Sequence, residues 1–495
     1  MNKNGETNEK INLYLLVIGA LILGVIFDYL FFDQYLGISV VIFEAIAIFI
    51  AFWFGRRFNT SFRPVLWLLA LALFFVAMIG IRDNIFLAFL NIVASMGLLL
   101  LATQELHRKK IISFRLLDYL ITIIIIPFKI LRRFLQTIFF LSRPSQNSSS
   151  AVIKRVVIGI IMALPFLVIF GALFASADLA FKQLVDSIFR FQVPKEFFSH
   201  LFVIVVISVI SLGVLAYLFN IPSVVARVQA LENLNPEKRV INRNIEVKVF
   251  LWMIAGLFAI FLVFQLAYLF GGVINISEGN FTYAEYARKG FWELLTVAFF
   301  TLIILLILDK YTQTKNPRFS WFTIPSLVLI IEIFVIIISA FKRLMLYQDA
   351  YGLTTLRLYV SGFIFFLGVV FILLAIKLWR EKEENFFAFG ALLSVITFLV
   401  VFNILNPDAF IAKKNIDRFN TGGGLDANYL ATMSVDAIPS MVSVYDRLND
   451  EDKAIVEQHL TTKKTELLEQ QSHWQSYNVS RQKALNKLNN RMLKK

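Results

Sequence analysis

The chain has 495 residues, of which 58% are hydrophobic and 17% charged, with 52 Phe, no Cys and a formal net charge of +14. A soluble domain carries about 25% charged residues and under about half apolar ones, so this apolar surplus calls for an apolar solvent. The composition excludes a soluble enzyme, a disordered regulator and a disulfide-built secreted module, and the missing thiols remove Cys-based metal, redox and nucleophile chemistry.

Residues 1–10 are polar and include Lys3 and Lys10. The apolar stretch 13–32 is too long for a signal-peptide core and is expected as an uncleaved first span. Ten more spans are expected at 36–54, 64–81, 85–102, 156–177, 197–219, 249–272, 291–308, 322–341, 358–376 and 386–405. Each is near the roughly 20 residues that cross about 30 Å of hydrocarbon. A spanning backbone must satisfy its own hydrogen bonds, so these segments are helices. The expected fold is all-α, a polytopic transmembrane helix bundle of about eleven spans over residues 1–405, followed by a small helical domain at 406–495.

Charge sets the orientation. With the N-terminus inside, the inner segments hold 26 of the 48 Lys and Arg, and the short outer loops hold 9. The positive-inside rule then places the N-terminus in the cytoplasm of a plasma membrane, and eleven spans put the C-terminal domain outside. The tail carries 13 Lys plus Arg against 11 Asp plus Glu, so most of the positive charge belongs to the membrane part. It is a topology signal, and nucleic acid is not an expected partner.

Interfacial helices are expected near 111–142 and 178–193. In the first, Lys129, Arg132, Arg133 and Gln136 recur at helical spacing opposite Phe128, Leu131, Leu135, Ile138 and Phe139. This is the pattern of a cationic helix lying on anionic lipid, with Lys129, Arg132 and Arg133 as the lipid contacts. The run 116–127 before it is short and flanked by basic residues, which suits a re-entrant or surface segment, and 145–150 reads as a linker. In the second, Asp178, Lys182, Asp186 and Arg190 alternate in sign at four-residue spacing. In the tail, Asn406-Pro407 has the form of an N-cap followed by Pro at the first helical position, Gly422 to Gly424 break the chain, and 450–473 and 479–492 read as helices.

No zinc, P-loop or nucleophile-elbow motif is present, the four His are scattered, and no cofactor is expected. Charges inside spans are the sharper signal, because burying one costs at least about 2.5–3.5 kcal/mol. Glu44 and Glu332 lie mid-span and form a candidate intramembrane polar site; Ser339 and Arg343 share the Glu332 face, with Arg343 about 16 Å along the axis. The densest polar–aromatic sequence falls in two outer loops. Together with the tail they make a candidate outer-face binding surface of Glu285, Arg288, Glu293, Arg343, Tyr347, Asp349 and Arg357 facing Asp408, Arg418, Asp426 and Asp436. The alternative is an aromatic belt with ion pairs that hold the loops on the bundle.

Five ordered stretches carry a family resemblance: 281–297 (FTYAEYARKGFWELLTV), 343–359 (RLMLYQDAYGLTTLRLY), 406–418 (NPDAFIAKKNIDR), 425–439 (LDANYLATMSVDAIP) and 474–487 (WQSYNVSRQKALNK). They resemble the bacterial domain-of-unknown-function 4173 membrane proteins, which are related to the 4153 group. The resemblance covers roughly residues 245–495. It implies a multi-pass bacterial membrane protein with its best-marked motifs outside, and it brings no activity, cofactor or catalytic residue. The leading expectation is a non-catalytic envelope sensor, assembly or regulatory component that meets an envelope protein or a lipid-linked ligand at its outer face. One rival is a proton- or ion-coupled transporter using Glu44, Glu332, Asn91 and Gln265. The other is a membrane enzyme acting on a lipid-linked substrate through Glu285, Arg288, Asp349 and Arg357.

Overall fold

The computed structural model of the protein describes residues 3–107, 110–142, 196–219, 244–270, 291–311, 322–380, 382–470 and 473–492. Among the described residues every regular element is helical. The membrane part comprises α1 (Lys3–Phe31), α2 (Ile38–Arg57), α3 (Leu66–Ile81), α4 (Ile85–Leu106), α5 (Leu116–Ser142), α6 (Glu196–Leu218), α7 (Asn244–Phe270), α8 (Phe291–Tyr311), α9 (Thr323–Tyr351), α10 (Thr355–Arg380) and α11 (Glu384–Leu405). The tail adds α12 (Pro407–Asn420), α13 (Ala427–Ala431), α14 (Ile438–Val444), α15 (Asp450–Gln470) and α16 (Val479–Met492).

Among the described residues, eight helices are long and apolar enough to cross a membrane: α1, α2, α3 with the turn before it, α4, α6, α9, α10 and α11. Shorter apolar runs, Lys248–Val263 and Leu294–Asp309, lie within α7 and α8. The protein is therefore a multi-pass membrane protein. The expected span at 156–177, the linker at 145–150 and the interfacial helix at 178–193 lie outside the described residues.

The spans need little local encoding, because a backbone in hydrocarbon finds partners only within its own helix. Their ends are marked more carefully. Arg56 and Arg57 close α2. Asn84 opens α4, its side-chain oxygen accepting the Leu87 N–H at 2.8 Å, a cap worth about 1 kcal/mol. Opposite ends of neighbouring helices meet. The C-terminal ends of α1, α3, α9 and α11 and the N-terminal ends of α2, α4 and α10 gather at one end of the bundle, beneath the tail. The first turns of α6 belong there too, since His200 Nδ1 lies 2.8 Å from Asp28 near the end of α1.

The α1–α6 contact relies on a missing side chain. A Cβ on Gly24 would sit 2.2 Å from Ser208 Oγ and 2.5 Å from the Ile204 carbonyl, so only glycine lets these two helices approach.

Helix α5 departs from expectation. The proposed break between a re-entrant run and an amphipathic helix is absent, and one helix runs through Pro127. Its polar side faces inward. Thr122, Arg133 and Thr137 are buried, and Ile130 and Phe134 pack on Gly213 of α6. Leu117, Leu120, Ile124, Phe128 and Leu131 stand exposed. Thr122 donates to the Asp118 carbonyl and Arg133 Nη1 lies 3.5 Å from Gln136 Oε1, both within α5, so this side is buried against α4 and α6 and the apolar side is left for an apolar surrounding. Lys129 and Arg132 remain at the surface, whereas Arg133, expected to meet lipid headgroups, is 4% exposed.

The tail helices share one core with the bundle end. Leu87, Leu358 and Phe402 from the spans pack in the same cluster as Ile411, Leu430, Met441, Val456, Leu485 and Leu488.

Candidate functional site

Among the described residues, three short connections between spans emerge at the tail end of the bundle, and the tail grips all three. At the first, residues 476–477 lie along the start of α2. The Tyr35 N–H donates to Ser476 Oγ at 3.1 Å, and the Ile38 N–H donates to the Tyr477 carbonyl at 2.9 Å. At the second, Asn478 donates from Nδ2 to the carbonyls of Ile79 and Arg82, both at 2.9 Å. Its Oδ1 accepts the N–H groups of Ser480 and Arg481, which caps α16. Arg481 then reaches Asp83 Oδ1 at 2.7 Å from Nε and 2.6 Å from Nη2, and donates to the Leu36 carbonyl at 3.2 Å. At the third, Asn415 bonds Leu353 in both directions, at 2.7 and 2.8 Å, and Tyr429 Oη accepts the Thr355 N–H at 2.7 Å.

Two arginines finish helix ends. Arg418 donates to the carbonyls of Asp349 (3.0 Å) and Ala350 (2.6 Å) in the last turn of α9. Arg82 donates to those of Asn403 (3.1 Å) and Ile404 (3.3 Å) in the last turn of α11. Cations belong at these C-termini, where the final carbonyls lack helical partners.

Two buried acids centre the seam. Asp436 accepts from the Asp83 N–H at 2.9 Å, from Asn406 Nδ2 at 3.0 Å and from the Ser480 hydroxyl. Asp408 accepts from Asn84 Nδ2 at 3.0 Å and from the Ser434 N–H at 3.1 Å. Asn406, expected to cap α12, has its backbone in the left-handed region and lends its side chain to Asp436 instead. Burial pushes the Asp83 carboxyl above the ordinary carboxylate range, and the adjacent Arg481 charge opposes that push without cancelling it.

From the seam a file of polar side chains descends into the bundle. Below Asn84, Asn91 and Asn403 exchange two amide hydrogen bonds at 2.8 and 2.7 Å. One turn further, Ser95 donates to Glu44 Oε2 at 2.7 Å. Asn84 to Ser95 spans about 16 Å of helix. Glu44 Oε1 is buried with no hydrogen-bond partner. Glu332 is also buried, with Oε2 lacking a partner, but it sits on α9 among the α7–α10 core. The structure therefore does not bring the two candidate carboxylates together. Among the described residues, no three His, Asp or Glu converge as metal ligands.

A family model described as Domain of unknown function (DUF4153) matches residues 65–444. The chain belongs to this family. No curated protein and no solved structure matches it. The DUF4153 match begins just before α3 and closes with α14, so it takes in Asp83, Asp408 and Asp436, while Asn478 and Arg481 follow it.

Of the expected outer-face residues in this DUF4153 protein, Asp408 and Asp436 meet the Asp83–Asn84 connection, while Arg418, about 15 Å along α12 from Asp408, meets the end of α9, so all three are parts of the docking seam. Asp426 caps α13 through the Tyr429 N–H at 2.8 Å. Arg357 donates to the Gly352 carbonyl and stands 4.0 Å over the Tyr347 ring. Asp349 is exposed, and Arg343 is half-buried. Glu285 and Arg288 lie outside the described residues, Glu293 falls in the first turn of α8 and Gln265 in α7. Sequence reading missed Asp83, Asn84, Asn403, Asn478 and Arg481 as seam residues. Asn84 carried a readable signal, an Asn directly before an apolar run. Asn478 and Arg481 lay within the stretch 474–487, already marked by resemblance.

Proposed function

We propose that this DUF4153 protein is a non-catalytic component of a bacterial envelope, acting as a sensor, assembly factor or regulator. It would cross the plasma membrane about eleven times, with its N-terminus in the cytoplasm and its C-terminal helices outside. The docked tail would present a surface to an envelope protein or a lipid-linked ligand, while Lys129 and Arg132 meet anionic lipid at the inner face.

One observation carries the reading. Asp408, Asp436, Arg418, Arg357 and Asp426, charged side chains of the expected outer-face surface, are each engaged by backbone or side-chain partners that hold tail and loops in place. Release of this docked tail would be the switching step of such a regulator. The absence of native Cys gives a clean test of the side. With Lys413→Cys, a membrane-impermeant maleimide should label intact cells, and cross-linking from native membranes should capture a partner with the wild-type tail. Labelling only after permeabilisation would remove the outer-face reading.

The polar file favours a second reading, proton-coupled transport through Glu44. Glu44→Gln should then abolish proton-driven flux in reconstituted vesicles. A wild-type protein with no proton flux, or a Gln variant with full flux, excludes that role.

A further inference from the structure

Between α9, α10 and α12 lies a groove of about 420 Å³ that the docking contacts leave open. Its upper rim is polar, built from Lys414, Arg418 and Thr421 of α12 with Gln348 and Asp349 of α9. Its lower part is apolar, descending past Leu358 and Met345 to Phe341 and Phe365, whose rings meet edge to face at 5.0 Å. Phe341 lies ten residues before the end of α9 and Phe365 ten after the start of α10. Both are therefore about 15 Å below those helix ends, using 1.5 Å per residue. Half of a hydrocarbon layer about 30 Å thick has the same depth. Met345 is 47% and Phe365 63% exposed, so the groove opens sideways, toward where lipid surrounds the bundle.

The order of chemistry down this groove is that of a lipid molecule, charged at the top and apolar for half a bilayer below. The rim charge selects the headgroup. Lys414 is exposed, with its ammonium 5.9 Å from the Phe410 ring centre. Arg418 gives three N–H groups to carbonyls, and a guanidinium has five. Against these two cations the rim sets one acid, Asp349. We propose that the groove binds one anionic glycerophospholipid, its phosphate at Lys414 and Arg418 and one acyl chain running past Met345 to the Phe341–Phe365 floor. Because Arg418 also fastens α12 to the end of α9, the bound lipid braces the tail against the bundle at the membrane surface. The site stands whether or not the tail is a regulatory surface, since it depends only on the groove and the layer beside it.

Native mass spectrometry of the full chain, titrated with phosphatidylglycerol or phosphatidylcholine, tests the assignment. One phosphatidylglycerol per chain should be retained in preference to phosphatidylcholine. Lys414→Glu should weaken phosphatidylglycerol retention by roughly tenfold, as expected for reversing one headgroup contact at a membrane surface. Met345→Trp, which fills the groove from its exposed side, should weaken retention of both lipids, with thermal unfolding of both variants unchanged. Equal retention of the two lipids, wild-type retention in both variants, or full displacement by inorganic phosphate would overturn the proposal. The last result would mean a soluble anion site.

Discussion

Replacing Arg481 with Ala is expected to release α16 and the 476–478 segment from the bundle end, at a cost of about 3–5 kcal/mol to the docked state. The magnitude follows from what is left behind. The side chains of Arg481 and Asp83 are only 11% and 13% exposed, so the variant strands a carboxylate in a poorly hydrated site. Burial already pushes that carboxyl upward, and removing the guanidinium takes away the charge that opposes the push. The carbonyls of Leu36 and Ser476 lose a donor at the same time. Hydrogen exchange reads the outcome directly, because the amides of Tyr35 and Ile38 donate to the tail only while it is docked. Their exchange should accelerate by about 10²-fold to several 10³-fold, the factor that corresponds to this cost. Arg481→Lys should fall between, since an ammonium keeps the charge but not the fork that spans Asp83 and two carbonyls. Combining Arg481→Ala with Asp83→Asn should recover part of the loss, because no lone charge is then buried. Wild-type exchange at Tyr35 and Ile38 in the Ala variant would show that the pair does not hold the tail.

Eight of the eleven expected spans were legible because a single physical requirement, apolar residues over about 20 positions, writes itself into composition. The tail helices were legible in outline for the same local reason, with Val479–Met492 bounded as its sequence suggests. The seam was not. Asp408 and Asp436 stood out as charges near a membrane surface, and a charge there reads equally well as a ligand site. What makes them structural is a partner far along the chain: Asn84 is 324 residues from Asp408, and Asp83 is 353 residues from Asp436. No local pattern encodes such a pairing. Arg133 failed for the opposite reason. Its spacing with Lys129 and Gln136 was read correctly as one helical side, but periodicity does not say which side turns inward against the neighbouring helices.

Gly37→Ala should undock the same segment by crowding alone, at a cost near the upper end of the roughly 1–3 kcal/mol seen for overpacking. At φ −162° the Gly37 backbone is extended, a conformation open to any residue, so the objection to Ala is space. A Cβ there would stand 2.5 Å from the Tyr477 oxygen and 2.7 Å from the Ser476 carbonyl carbon. Both are backbone atoms, and neither can rotate aside as a side chain would. The hydrogen bond from the Ile38 N–H to the Tyr477 carbonyl must then stretch or break, and the Arg481 contacts that follow in the chain are carried away with it. Gly97→Ala is the matching control. Nothing lies within 4 Å of its Cβ position, so it should be neutral or stabilise α4 by up to about 1 kcal/mol. The decisive comparison is the double variant. If Gly37 and Arg481 serve one docking event, Gly37→Ala with Arg481→Ala should accelerate exchange at Ile38 little more than Arg481→Ala does, since a released tail cannot be released twice. Full additivity would mean that the two residues hold separate pieces of the tail, and the seam would then open in steps rather than as a unit.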